Sequence, residues 1–384
     1  MGAAGLLALG FQGPLHDSED RIVHYNGSAD LADPIARLRA MPLAFEPAHG
    51  YLASLLEALQ IPASSQGLVF SKTSLQNDHV NPRTPRAIYF GDDAYVSWVP
   101  GGDVIDISAV DPRKGPIFYT LDQRESSPPH FERRAECTGC HIGPKTLNVP
   151  GHLLRSVITA PDGYPLSTVE RFTIGHGSPL DRRWGGWYVT ALDDHTAHKG
   201  SLLAAGPVDT ALYLSSGSDM VALLVLAHQV KMHNLMTRAG YETQYALSER
   251  SSPARTRERI AHVAEPLIEY MLFRDEAPLA GPIQGTSTFA QDFAQRGPRD
   301  ARGRSLRELD LRTRLMRYPC SYLIYSEAFD ALPAPLKDYI WRRLAEILDG
   351  RDQSPAYAGM AAADRNAISA ILRDTKPEFA AAAR

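Results

Sequence analysis

The chain predicts an α+β fold, with a β-rich half first and an α-helical half after it. Two observations carry this. Residues 86 to 121 fall into short apolar runs separated by turn formers, the pattern of a β-meander. After about residue 206 the apolar spacing becomes helical. Strand signals therefore come first and helix signals later, which argues for α+β.

The elements follow in chain order. Residues 1–64 read as a helical or irregular segment. Within it, 33–60 is expected to be helical because Leu38, Met41, Phe45, Leu52, Leu55, Leu56 and Leu59 recur at near-helical spacing, interrupted by Pro42 and Pro47. Residues 65–205 form the β-rich region. Ala87-Ile-Tyr-Phe and Ala94-Tyr-Val-Ser-Trp-Val flank Gly91-Asp-Asp; Asp103-Val-Ile-Asp-Ile-Ser and Pro116-Ile-Phe-Tyr-Thr-Leu flank Asp111-Pro-Arg-Lys-Gly. A further hairpin is expected from Arg155-Ser-Val-Ile-Thr through the turn Pro161-Asp-Gly to Leu166-Ser-Thr-Val, and one more strand at Trp187-Tyr-Val-Thr-Ala-Leu. Residues 206–384 form a helical region packed on the first. Its clearest helix starts at Ser218-Asp219, good N-cap types, and is expected to end at Gly240. Others are expected at 252–274, 303–316, 333–349 and near 363–374, with a frayed end at Ala380-Ala-Ala-Ala.

The 384 residues are 44% hydrophobic and 22% charged, the balance of a globular protein. A net charge of −4 with no basic block gives no reason to expect nucleic acid. No apolar run is long enough for a membrane span. The opening Met1-Gly-Ala-Ala-Gly-Leu-Leu-Ala-Leu-Gly is small and apolar but lacks a charged start, and reads either as the remainder of a secretory signal or as an apolar terminus.

The sharpest signal is Cys137-Thr-Gly-Cys-His141. Cysteines three apart on a helical turn point the same way, so both thiols can add to the vinyl groups of one haem, and the next His reaches the iron as proximal ligand. With only 3 Cys and 13 His in the chain, chance produces this pattern on the order of once in a thousand such chains. A structural zinc site needs four ligands, and there is no second CxxC. A thioredoxin-like dithiol needs a preceding strand, and Ser126-Ser-Pro-Pro-His-Phe-Glu-Arg-Arg shows none. One covalently bound haem c is the expected cofactor. Cys320 is left over and reads as a buried small hydrophobe.

Several blocks resemble a family of secreted bacterial proteins described only as cytochrome c domain-containing. They are Ser71-Lys-Thr-Ser-Leu-Gln, Pro82-Arg-Thr-Pro-Arg-Ala-Ile-Tyr-Phe, Phe118-Tyr-Thr-Leu-Asp-Gln, the CTGCH, Val149-Pro-Gly-His-Leu-Leu-Arg-Ser-Val, Ser178-Pro-Leu-Asp-Arg-Arg-Trp-Gly-Gly-Trp-Tyr-Val-Thr and Met232-His-Asn-Leu. They span roughly residues 65 to 240. The resemblance implies haem and a periplasmic or secreted location, but no reaction. The β-rich surroundings are unlike a small, all-helical cytochrome c fold.

The sixth iron ligand separates electron transfer from catalysis. His228 and Met232 share one face of the 218–240 helix, and His176 lies in Gly175-His-Gly, where backbone approaches a flat ligand easily. His176 and His228 are also the candidate catalytic residues. Ordinary core packing is the competing reading for Met232 and His228, and a turn histidine for His176. His152 follows the motif closely, and His195 and His198 lie in a polar loop. Arg155 and Arg171, with Arg133 and Arg134 nearby, suit the haem propionates. Three functions fit: a single-haem oxidoreductase acting on peroxide, oxygen or a small molecule; an electron-transfer cytochrome with a six-coordinate haem, docking a redox partner protein; and a haem-based ligand-binding or sensory protein.

Overall fold

The computed structural model describes residues 38, 41–166, 172–190, 208–249 and 251–383. Its first half is built on one antiparallel meander. Strands β1 (Gly67–Val69), β2 (Arg86–Phe90), β3 (Ala94–Trp98), β4 (Val104–Asp111), β5 (Gly115–Asp122) and β6 (Phe131–Arg133) lie in chain order in a six-stranded sheet. The β4–β5 turn follows from Asp111, whose Oδ1 accepts the backbone N–H groups of Arg113 and Lys114 at 2.9 Å each. Gly115 closes it at φ +79°, a conformation that glycine adopts without a steric penalty.

Alternation divides the sheet into two faces. Leu68, Tyr89, Val96, Ile107 and Tyr119 share the first face and pack with Leu52, Leu55 and Leu56 of helix α1 (Leu52–Ala58). The second face is mixed. One row runs Phe90, Tyr95, Ser108, Phe118; the next runs Ile88, Ser97, Asp106, Thr120. Helix α2 (Thr138–His141) contains the end of the CxxCH motif, and β7 (Arg155–Ser156) pairs with β8 (Phe172–Thr173).

The second half is helical. Helix α3 (Met220–Ser248) is buried nearly all round, as a helix through the middle of a core must be. Asp219 caps it, accepting the Val221 amide at 2.7 Å and the Ala222 amide at 3.3 Å. Its core joins the sheet's second face, through Phe90, Tyr95 and Val110, to the later helices. These are α4 (Pro253–Met271), α5 (Phe289–Gln295), α6 (Glu327–Asp330), α7 (Ala334–Leu348), α8 (Ala362–Thr375) and α9 (Pro377–Ala382). Among the described residues no helix is long and apolar enough to cross a membrane.

The α+β class, the meander and the main helices agree with the sequence expectations; several details differ. Of the described part of 33–60, a helix forms only over α1 and at Leu38, because Glu46 and Gly50 bridge to each other in a turn. The hairpin near Asp162-Gly163 is reduced to a Thr159–Pro165 bridge, with 167–171 outside the described residues. Trp187 makes a single bridge to Val69 instead of leading a strand; 191 and 192 lie outside the described residues. No helix forms over 303–316. There Asp310 Oδ1 accepts the amides of Arg312, Thr313 and Arg314, so a side chain takes the backbone donors that a helix would use. Helix α3 runs on past Gly240, since burial outweighs the roughly 1 kcal/mol that a helical glycine costs. The C-terminus forms α9, pinned by the buried Phe379.

Candidate functional site

The CxxCH motif sits over the mixed face of the sheet. After β6 the chain makes a 3₁₀ turn at Ala135–Cys137 and enters α2. Thr138 Oγ1 donates to the Ala135 carbonyl at 2.7 Å, which tightens the turn. Arg134 is held by Glu132 and Glu136 on either side. Cys137 is half-buried and Cys140 exposed, and both are free thiols. Burial, then Glu136 and Asp106, push the Cys137 thiol up to about 11. Contrary to the sequence expectation a strand, β6, does precede the motif, but it pairs antiparallel with β5 and is not part of a βαβ unit; a redox dithiol also needs a lowered thiol pKa, so this environment argues against one.

The His141 ring is oriented by a backbone partner. Its Nδ1–H donates to the Gly151 carbonyl at 2.8 Å. That bond fixes the tautomer and leaves the Nε2 lone pair for a metal. Among the described residues nothing bonds to Nε2. The ring packs on Phe118 with centroids 4.5 Å apart, and burial holds the imidazole below its ordinary range, hence neutral.

The carbonyl that steers His141 is itself held. Gly151 N–H donates back to the His141 carbonyl at 2.9 Å. Asn234 of α3 clamps the next residue: its Oδ1 accepts the His152 amide at 2.8 Å, and its Nδ2 donates to the His152 carbonyl at 2.9 Å. Only glycine fits at 151. A Cβ there would meet Asn234 Oδ1 at 2.6 Å and Thr146 Cβ at 2.8 Å.

Beside the motif, Arg86 and Arg155 both act on His141, lowering its pKa further. Arg155, expected from the sequence, is half-buried, and its carbonyl accepts from Trp187 Nε1 at 2.9 Å. Arg171, His195 and His198 lie outside the described residues. Among the described residues no group of three or more His, Cys, Asp or Glu is arranged to hold a metal ion.

The structure separates the other candidates from His141 and gives them different partners. His176 and His228 face each other, Nδ1 to Nδ1, at 2.9 Å. His176 Nε2–H donates to the Arg274 carbonyl at 3.2 Å, so its Nδ1 accepts from His228; Ser321 Oγ–H then donates to His228 Nε2 at 2.8 Å. Tyr270 stacks on His176 at 3.8 Å and Phe273 on His228 at 4.1 Å. All four ring nitrogens are thus engaged, and neither imidazole has an atom left for iron in this arrangement. Met232 is fully buried in the core. A second group lies nearer the motif. His152 Nε2 meets Ser108 Oγ at 2.7 Å and its ring lies 4.2 Å from Tyr95; Tyr95 O–H donates to His233 Nδ1 at 2.9 Å.

Sequence reasoning missed Arg86, Gly151 and Asn234. One signal was present for Arg86: in Arg86-Ala-Ile-Tyr-Phe it shares parity with Ile88 and Phe90, on the face that turns toward the helices. No protein-family model, curated protein or solved structure matches the chain.

Proposed function

We propose that this chain is an exported haem c protein, with the haem joined through Cys137 and Cys140 and its iron held by His141. The observation that carries this reading is His141 itself: Nδ1 tied to a backbone carbonyl, Nε2 unclaimed among the described residues, one residue from a free thiol and four from another. The donor set suits the group, with one imidazole for iron, two thiols on one turn, and arginines for its carboxylates.

The reaction class that fits best is oxidoreduction at a single haem acting on peroxide, oxygen or a small molecule. Bound there, haem supplies one-electron redox chemistry and an iron site for a small oxidant. The protein's own residues do the rest. Gly151 and Asn234 fix the direction of the His141 lone pair. Phe118 packs against that ring at a tilt of 50°. The three sixth-ligand candidates, His176, His228 and Met232, are engaged in the core, which favours an iron with one position free for substrate.

Carbon monoxide tests the class. The ferrous protein is expected to bind it readily, with a shifted Soret band. A reduced spectrum unchanged by carbon monoxide would mark a six-coordinate electron carrier instead.

A further inference from the structure

Arg86 sits on the mixed face of the sheet, paired across from Val69 and next to the row holding Ser97 and Asp106. The same face carries Phe118, on which His141 rests. Arg86 Nε is buried without a hydrogen-bond partner, and among the described residues no side-chain hydrogen bond or ion pair reaches the guanidinium. Asp106 is the attractive charge acting on it, but no Arg86–Asp106 ion pair forms, and Oδ2 of that carboxylate accepts from Gln76 Nε2 at 3.3 Å and from Ser97 Oγ at 3.2 Å. The other charge acting on Arg86 is a second cation, Arg155.

Leaving a buried guanidinium donor unpaired beside a like charge is costly. Proteins keep such an arrangement where an anion completes it, and a planar fork of donors matches a carboxylate bidentately. We infer that Arg86 is a carboxylate-binding site on the face of the sheet that carries Phe118, against which His141 packs. The inference rests on the reading of the CxxCH motif as a haem site. The carboxylate comes either from a propionate of the anchored group or from a small free acid that enters beside it; the chemistry recognised is the same.

The test uses the full-length holoprotein as wild type, Arg86→Gln and Arg86→Lys. Arg86→Met is a second charge-removing variant that keeps the length of the side chain, for use if Arg86→Gln does not fold. Intact mass first establishes the adduct in each. In the first arm, the reduction midpoint is followed against pH. Loss of a cation next to a propionate is expected to make the midpoint more negative and to move its acidic inflection to higher pH, while Arg86→Lys stays close to wild type. In the second arm, sodium acetate is titrated against the absorption spectrum, and a free-acid site is expected to need at least tenfold more acetate in Arg86→Gln. A response in the first arm assigns the carboxylate to the anchored group; a response in the second alone assigns it to a free acid. Adduct present with neither arm moved overturns the inference and leaves the haem reading intact. A wild-type chain without an adduct refutes the haem reading and this inference with it.

Discussion

Asn234→Ala separates the support of the site from the site itself. Asn234 makes two hydrogen bonds, at 2.8 and 2.9 Å, to the main chain of His152. Both groups are buried, and no other residue satisfies them among those described. Removing the amide leaves one N–H and one C=O unmet, at about 1–3 kcal/mol each, so a loss of about 2–6 kcal/mol is expected. Against a typical total of about 5–15 kcal/mol this is large. Asn234→Asp keeps the acceptor for the His152 amide but sets a buried carboxylate oxygen against the His152 carbonyl, so it is not expected to rescue the loss. The assay is urea unfolding of the holoprotein, read as a lower midpoint at an unchanged slope. The second reading is the absorption and spin state of the iron, because the clamp holds the residue next to Gly151, whose carbonyl orients His141. Gly151→Ala, which forces a Cβ against Asn234 Oδ1, is expected to alter the same spectrum. A stability loss below about 1 kcal/mol refutes the clamp. A large loss with a wild-type spectrum refutes its link to His141.

Other outcomes follow from the buried histidines and the third cysteine. His228→Ala and His176→Ala are expected to lower stability, since each strips a partner from a closed hydrogen-bonded chain, and to leave the iron spectrum unchanged; a spectral shift in either reopens it as an iron ligand. Burial holds His176 at about 3, His233 at about 4 and His228 well below the ordinary imidazole range. The folded chain keeps all three neutral while the unfolded chain protonates them below about pH 6.5. Their stabilisation is therefore full above that pH and is lost progressively as pH falls below it. Equal urea midpoints at pH 7 and pH 5 contradict this. Cys320 is fully buried and its thiol is pushed up to about 12, so Cys320→Ser is expected to leave haem attachment intact; loss of haem with the fold preserved speaks against its being a simple core residue.

What was legible in the sequence was what is local. The meander shows in the alternation of residues 86 to 121, and the start of α3 shows in Asp219, whose side chain caps it. Cys137, Cys140 and His141 lie in one short turn and helix, so their grouping shows in the spacing alone. The rest depends on residues brought together from far apart. Asn234 reaches His152 across 82 positions, and His228 reaches His176 across 52. Each of those histidines looked like a ligand by itself, and their pairing in the fold uses up the nitrogens that made them look so. The segment 303–316 had helical spacing, but the turn made by Asp310 is a side-chain effect that apolar periodicity does not register.

Intact mass under denaturing conditions tests haem attachment most directly. The chain is produced with export and haem-maturation machinery, beside the Cys137→Ser/Cys140→Ser double variant. The wild type is expected to show the polypeptide plus one haem, and the double variant the polypeptide alone. A wild-type mass equal to the bare polypeptide contradicts covalent haem at this motif.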